Sequence, residues 1–166
     1  MRLFRARVVS VLSALVLAAC GGGGSNPGSG AVAGPPPRGT LLQSPPELVT
    51  ILTAASLLQE LNAPANLQLL ALGGAPLCDI AVYHMRYTTV GGANEATAAS
   101  GALMVPLGLD SQCSGARPII LYAHGTSTDQ AFNIANVQDQ QNAEGLFLSA
   151  FFASQGYIVV APNYAG

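Results

Sequence analysis

The chain contains no lysine, and all six of its basic residues are arginines. Only 8% of its 166 residues are charged, against about 25% in an average globular protein. Its surface must therefore rely on Ser, Thr, Asn and Gln. If residues 1–19 are removed as a leader, Arg38, Arg86 and Arg117 stand against eight acidic residues. That balance excludes the basic face a nucleic-acid partner requires. With Cys20 lipidated and Cys78 paired with Cys113, as expected below, His84 and His124 are left, too few for a zinc site. The amino-terminal apolar core, Val8 to Leu17, is too short to span a bilayer. No internal repeat is visible.

What is present begins at the amino terminus. Arg2, Arg5 and Arg7 precede that short apolar core, the pattern of a signal peptide over residues 1–19. Leu17-Ala18-Ala19-Cys20 follows and resembles the bacterial lipobox, which implies cleavage before a lipidated Cys20. Gly21 in the next position leans towards the outer membrane. Residues 20–39 combine a Gly/Ser-rich stretch with Pro35-Pro36-Pro37, a flexible then stiffer tether. The expected location is the cell envelope, lipid-anchored, or else periplasmic or secreted. In such an oxidising compartment the remaining cysteines, Cys78 and Cys113, are expected to pair.

The folded part is expected over residues 40–166, enough for one core. Leu48, Ile51, Leu52, Ala55, Leu58 and Leu61 recur at helical spacing and predict a helix from Pro46 to Leu61. Asn66 to Leu72 predicts a second short helix or turn. Ile80 to Val90 reads as a strand of β-branched and aromatic content, with His84 on a partly exposed polar face. A turn at Gly91-Gly92-Ala93-Asn94 leads to a returning strand, Ala98 to Val105, closed by Pro106. Asn133 to Asn142 is polar and predicts a loop or cap segment. Glu144 to Gln155 predicts a crossover helix, ended by Gly156.

The most informative stretch is Pro118 to Thr126, where Ile119-Ile120-Leu121-Tyr122-Ala123 breaks at His124-Gly125-Thr126. The apolar run reads as a fully buried strand. In an open α/β sheet, the loop leaving such a strand is where ligands bind. A second strand pattern follows the helix, Gly156-Tyr157-Ile158-Val159-Val160-Ala161-Pro162-Asn163-Tyr164. Strand-His-Gly, helix, then Gly-Tyr-apolar-Pro-x-Tyr resembles bacterial secreted lipase and esterase relatives of the α/β-hydrolase fold, over roughly residues 79 to 166. The resemblance implies an α/β class, the amino-terminal half of that fold's sheet, with an antiparallel hairpin and then parallel strands.

That family attacks carboxylic esters with a serine in G-x-S-x-G, without metal or cofactor, the acid and histidine following in chain order. No serine of this chain has glycines two residues to either side; Ser127 has Gly125 before it but Asp129 after it. The resemblance therefore implies a truncated domain, inactive alone, whose nucleophile elbow is expected beyond Gly166. It carries the oxyanion-hole role onto His124, Gly125 and Thr126, as main-chain donors aimed at a developing O⁻. His124 is then an orienting residue that hydrogen-bonds the loop. Implied partners are a membrane through Cys20 and a small ester or lipid substrate. The alternative is a non-catalytic envelope lipoprotein that uses a hydrolase-like scaffold for binding.

Overall fold

The computed structural model describes residues 37–127, 129, 131–138 and 143–164. The leader, Cys20 and nearly all of the tether lie outside the described residues. The elements are β1 (Glu47–Leu52), α1 (Ala54–Leu61), α2 (Leu67–Gly73), β2 (Asp79–Val90), β3 (Ala96–Leu107), β4 (Ile119–Leu121), α3 (Ala143–Phe151), a 3₁₀ turn (Ala153–Gln155) and β5 (Ile158–Pro162).

The five strands form one mixed sheet in the order β1-β2-β3-β5-β4. The expected hairpin is present: β2 and β3 pair antiparallel in unbroken register from Asp79↔Leu107 to Val90↔Ala96. β3 then pairs antiparallel with β5, and β5 pairs parallel with β4 through α3. Gly156, in the left-handed region at φ +95°, turns the chain from the 3₁₀ turn into β5. A Cβ at Gly156 would strike the Gln112 carbonyl, so both backbone conformation and space demand glycine there.

Three expectations are corrected. Pro46 to Leu61 is not one helix; Glu47–Leu52 is a strand paired antiparallel with β2, from Glu47↔His84 to Leu52↔Ile80. Val49, Thr50 and Ile51 are β-branched, and pairing with the edge of β2, interrupted only by an irregularity at Val49, outweighs the helical spacing. The helix begins only after Thr53. The Thr53 hydroxyl accepts the Ser56 N–H at 3.0 Å and the Asp79 carboxylate accepts the Ala54 N–H at 2.7 Å, which satisfies two of the first-turn donors.

Pro106 does not close β3 but sits within it, opposite Ile80. The ladder to β5 ends at Met104, so the missing proline N–H breaks no bond on that side. The strand in Ile119 to Ala123 is three residues long and lies at the sheet edge rather than fully buried. Ile119 is 67% and Leu121 is 73% exposed.

The core lies on one face of the sheet. Ile80, Val82, Ala102, Met104, Val159 and Ala161 pack there with Leu57 and Leu61 of α1, Leu148 and Ala150 of α3, and Ile134 and Val137. The other face carries an apolar row in register across all five strands: Leu48, Tyr83, Leu103, Val160 and Leu121. None of those five is fully buried. A disulfide joins Cys78, at the start of β2, to Cys113 in the loop before β4. Both sulfurs are enclosed. Around that loop the Arg117 guanidinium donates to the carbonyls of Pro106 and Cys113.

Candidate oxyanion loop at the carboxyl ends of the parallel strands

β4 and β5 run parallel and end side by side, so the loops that leave them share one rim of the sheet. This is the position at which open α/β sheets receive ligands. Tyr122 continues the β4 ladder by donating its N–H to the Val160 carbonyl at 2.9 Å. Two residues on, the chain turns inward at His124, then out again at Gly125, Thr126 and Ser127, all exposed.

His124 is only 7% exposed. Its imidazole lies between two rings, with the Tyr164 centroid at 4.4 Å and the Phe132 centroid at 4.6 Å. Its carbonyl accepts a hydrogen bond from the Tyr164 hydroxyl at 3.3 Å. The buried Nε2 has no hydrogen-bond partner among the described residues. His124 is thus held by ring stacking and by a hydrogen bond to its main-chain carbonyl.

Gly125 is neither in the left-handed region nor crowded: a Cβ there would meet nothing within 4 Å. Packing among the described residues therefore does not require glycine at this position. Ser127 is similarly uncommitted to chemistry. Its hydroxyl accepts the Asp129 N–H at 3.2 Å, a local turn contact rather than a bond to a base. Downstream, the Asp129 carboxylate accepts the Ala131 N–H and Asn133 Oδ1 accepts the Ala135 N–H, so short polar side chains hold this segment without a regular element. The Tyr122 hydroxyl reaches the Glu144 carboxylate on α3 at 3.3 Å. Burial raises the Tyr122 phenol above its ordinary 10.0, and the Glu144 charge raises it further.

The carboxyl end of β5 supplies residues that the sequence did not assign to a site. The Asn163 side chain accepts the Ile134 N–H at 3.0 Å, and donates to Ser100 Oγ at 2.8 Å and to Asn133 Oδ1 at 3.4 Å. Its backbone N–H donates to the Ser100 carbonyl at 2.8 Å. Tyr164 adopts φ +61°, a conformation few non-glycine residues take. The only sequence signal for the pair was the Pro-x-Tyr ending of the strand. Among the described residues, no group of His, Cys, Asp and Glu could hold a metal ion, and no helix is long and apolar enough to cross a membrane. His84 sits mid-strand in β2, opposite Glu47 on one side and Ala102 on the other, and β3 separates its strand from β5.

No protein-family profile and no curated protein matches the sequence. Among solved structures, the chain is similar to a rice cell wall degrading esterase, LipA, from Xanthomonas oryzae, at 32% identity and TM-score 0.60. The match covers 79% of this chain and 30% of the esterase; a ligand-bound form matches at 33% identity and TM-score 0.58 over the same shares. A hydrolase of provisional assignment from Legionella pneumophila shares the fold at 21% identity and TM-score 0.55, over 76% of this chain and 30% of that one. This chain therefore spans under a third of the length of the proteins it resembles. Its mixed sheet, antiparallel and then parallel with a crossover helix, is part of an α/β-hydrolase fold.

Proposed function

We propose that this chain, built on part of an α/β-hydrolase fold, supplies the oxyanion-loop side of a serine esterase acting on carboxylic esters. The observation that carries the reading is the contrast between His124 and Gly125. The first is buried and clamped between rings; the second is exposed, directly follows it, and has no packing reason to be glycine. A glycine that the fold does not need, at the carboxyl end of a parallel strand, is accounted for by a ligand that approaches the backbone. Main-chain N–H groups at Gly125 and Thr126 would face the oxygen on which negative charge develops as a serine adds to the ester carbonyl. Fixed donors at that point are worth about 10²–10³ in rate.

No serine of these 166 residues has glycines two residues to either side, so in this reading the chain's share is one wall of donors. Similarity to an esterase supports the reaction class. The envelope location belongs to the same proposal, with lipidated Cys20 and the Gly/Pro-rich tether holding the domain at a membrane surface.

The test is a chimera in which residues 37–164 replace the matching part of LipA, assayed on p-nitrophenyl esters. The chimera should hydrolyse ester, and Gly125→Val in it should lower kcat about 10²-fold with little change in KM. Unchanged kcat in a folded Gly125→Val chimera would remove the oxyanion role.

A further inference from the structure

We infer that Asn163 and Tyr164, consecutive residues just after β5, are positioning residues that hold the chain at His124, directly before Gly125 and Thr126, and again at Asn133 and Ile134. The inference rests on the oxyanion-loop reading for its functional meaning, but its geometry stands alone. At the leading end, the Tyr164 ring stacks on His124 and its hydroxyl donates to the His124 carbonyl. At the trailing end, Asn163 Oδ1 accepts the Ile134 N–H, and Nδ2 reaches Asn133 Oδ1 and Ser100 Oγ. Ser100 belongs to β3, so the amide ties the loop's exit to the antiparallel part of the sheet as well as to β5. Ile134 is itself fully buried in the core, which anchors this end further.

The two residues divide the work by chemistry. Asn163 needs an acceptor for a backbone N–H and a second polar atom for Ser100. Tyr164 needs a flat ring for the imidazole and a donor for a carbonyl. The positive φ of Tyr164 turns its side chain onto His124 although a non-glycine residue is strained there. Strain of this kind persists only where surrounding contacts over-determine it, and the stacking and the hydroxyl bond are those contacts. A loop closed at both ends presents its exposed amides in one geometry, which is what preorganised donors require.

The chemistry also predicts which substitution rescues the function. In Asn163→Asp the carboxylate still accepts the Ile134 N–H, and the Ser100 hydroxyl can reverse and donate to the second oxygen. Asn163→Leu keeps the volume and loses every side-chain bond.

The experiment uses the ¹⁵N-labelled 166-residue chain. Asn163→Leu should drop the order parameters of Gly125 and Thr126 from about 0.85 to below about 0.6. It should also speed amide exchange at Ile134 at least tenfold. Asn163→Asp should restore both to near wild type, and Tyr164→Phe should loosen the His124 end while leaving Ile134 protected. If Asn163→Leu fails to fold, Ser100→Ala removes one of the same bonds and should raise Ile134 exchange by a smaller factor. Unchanged loop order in a folded Asn163→Leu or Ser100→Ala chain would overturn the inference. So would an Asn163→Asp chain as loose as the leucine variant. Loss of loop order in these variants together with an inactive LipA chimera would sink the esterase reading alone. An active chimera with unmoved loop order would sink the positioning role alone.

Discussion

At the scale of single residues, the Cys78–Cys113 disulfide and the Tyr122 phenol make separate predictions. The cysteines are 35 residues apart in sequence, so their link removes roughly 3–4 kcal/mol of chain entropy from the unfolded state. A Cys78→Ala/Cys113→Ala double variant should unfold at a correspondingly lower denaturant concentration, and a coincident transition would refute the stabilising role. Tyr122 acts on the alkaline side. Its folded value is raised above 10.0 by burial first and by Glu144 second. The unfolded chain therefore gives up its proton first as pH rises. That contribution to stability is complete below about pH 10 and is lost as pH climbs through the folded value. Tyr122→Phe should flatten the alkaline limb of a thermal-stability profile, and an unaltered limb would show that the phenol is not coupled to folding.

At the scale of elements, β4 is the exposed point of the sheet. Among the described residues it pairs with β5 on one side only, and Ile119 and Leu121 hold most of their apolar surface in solvent. Leu121 also ends the apolar row that crosses the sheet through Val160, Leu103, Tyr83 and Leu48. An apolar edge next to an uncovered apolar face promotes association. Leu121→Lys should raise the soluble monomeric fraction by light scattering without lowering helix or strand content. Met104→Lys, on the buried face of the same sheet, should unfold the chain. Equal behaviour of the two variants would contradict the assignment of faces. The same comparison explains why β4 was misjudged: an apolar run records what a strand can bury, whereas its place in the strand order determines how much it does bury.

At the scale of the whole molecule, catalysis needs a hydroxyl activated by a base and faced by donors. In the reading proposed above the chain contributes donors alone, and the Ser127 hydroxyl is engaged with its own loop at Asp129. The 166-residue protein should therefore show no turnover of p-nitrophenyl esters and no serine labelling by a fluorophosphonate. Labelling of Ser127 would reverse that conclusion. The anchoring proposal has its own check: mass spectrometry of protein recovered from bacterial membranes should find an acylated amino-terminal Cys20. A mature terminus at another residue would remove the lipid anchor.

By itself, the sequence determined the features that are local in physical origin. The β2–β3 hairpin followed from β-branched and aromatic residues on either side of a glycine-rich turn. The crossover helix followed from apolar spacing, although it ends at Phe151 and a separate 3₁₀ turn carries the chain on to Gly156, the residue that adopts a positive φ. The end of β4 and the turn of the chain at His124-Gly125 were legible because an apolar run ended abruptly there. Tertiary structure alone decided the rest. Glu47–Leu52 became a strand because β2 presented unpaired backbone groups, a partner 28 to 37 residues away that no local window contains. Asn163 and Tyr164 entered the site because β5 ends beside β4. Residues 29 to 40 positions apart thereby come within hydrogen-bonding and stacking distance, and only the sheet's strand order fixes that proximity.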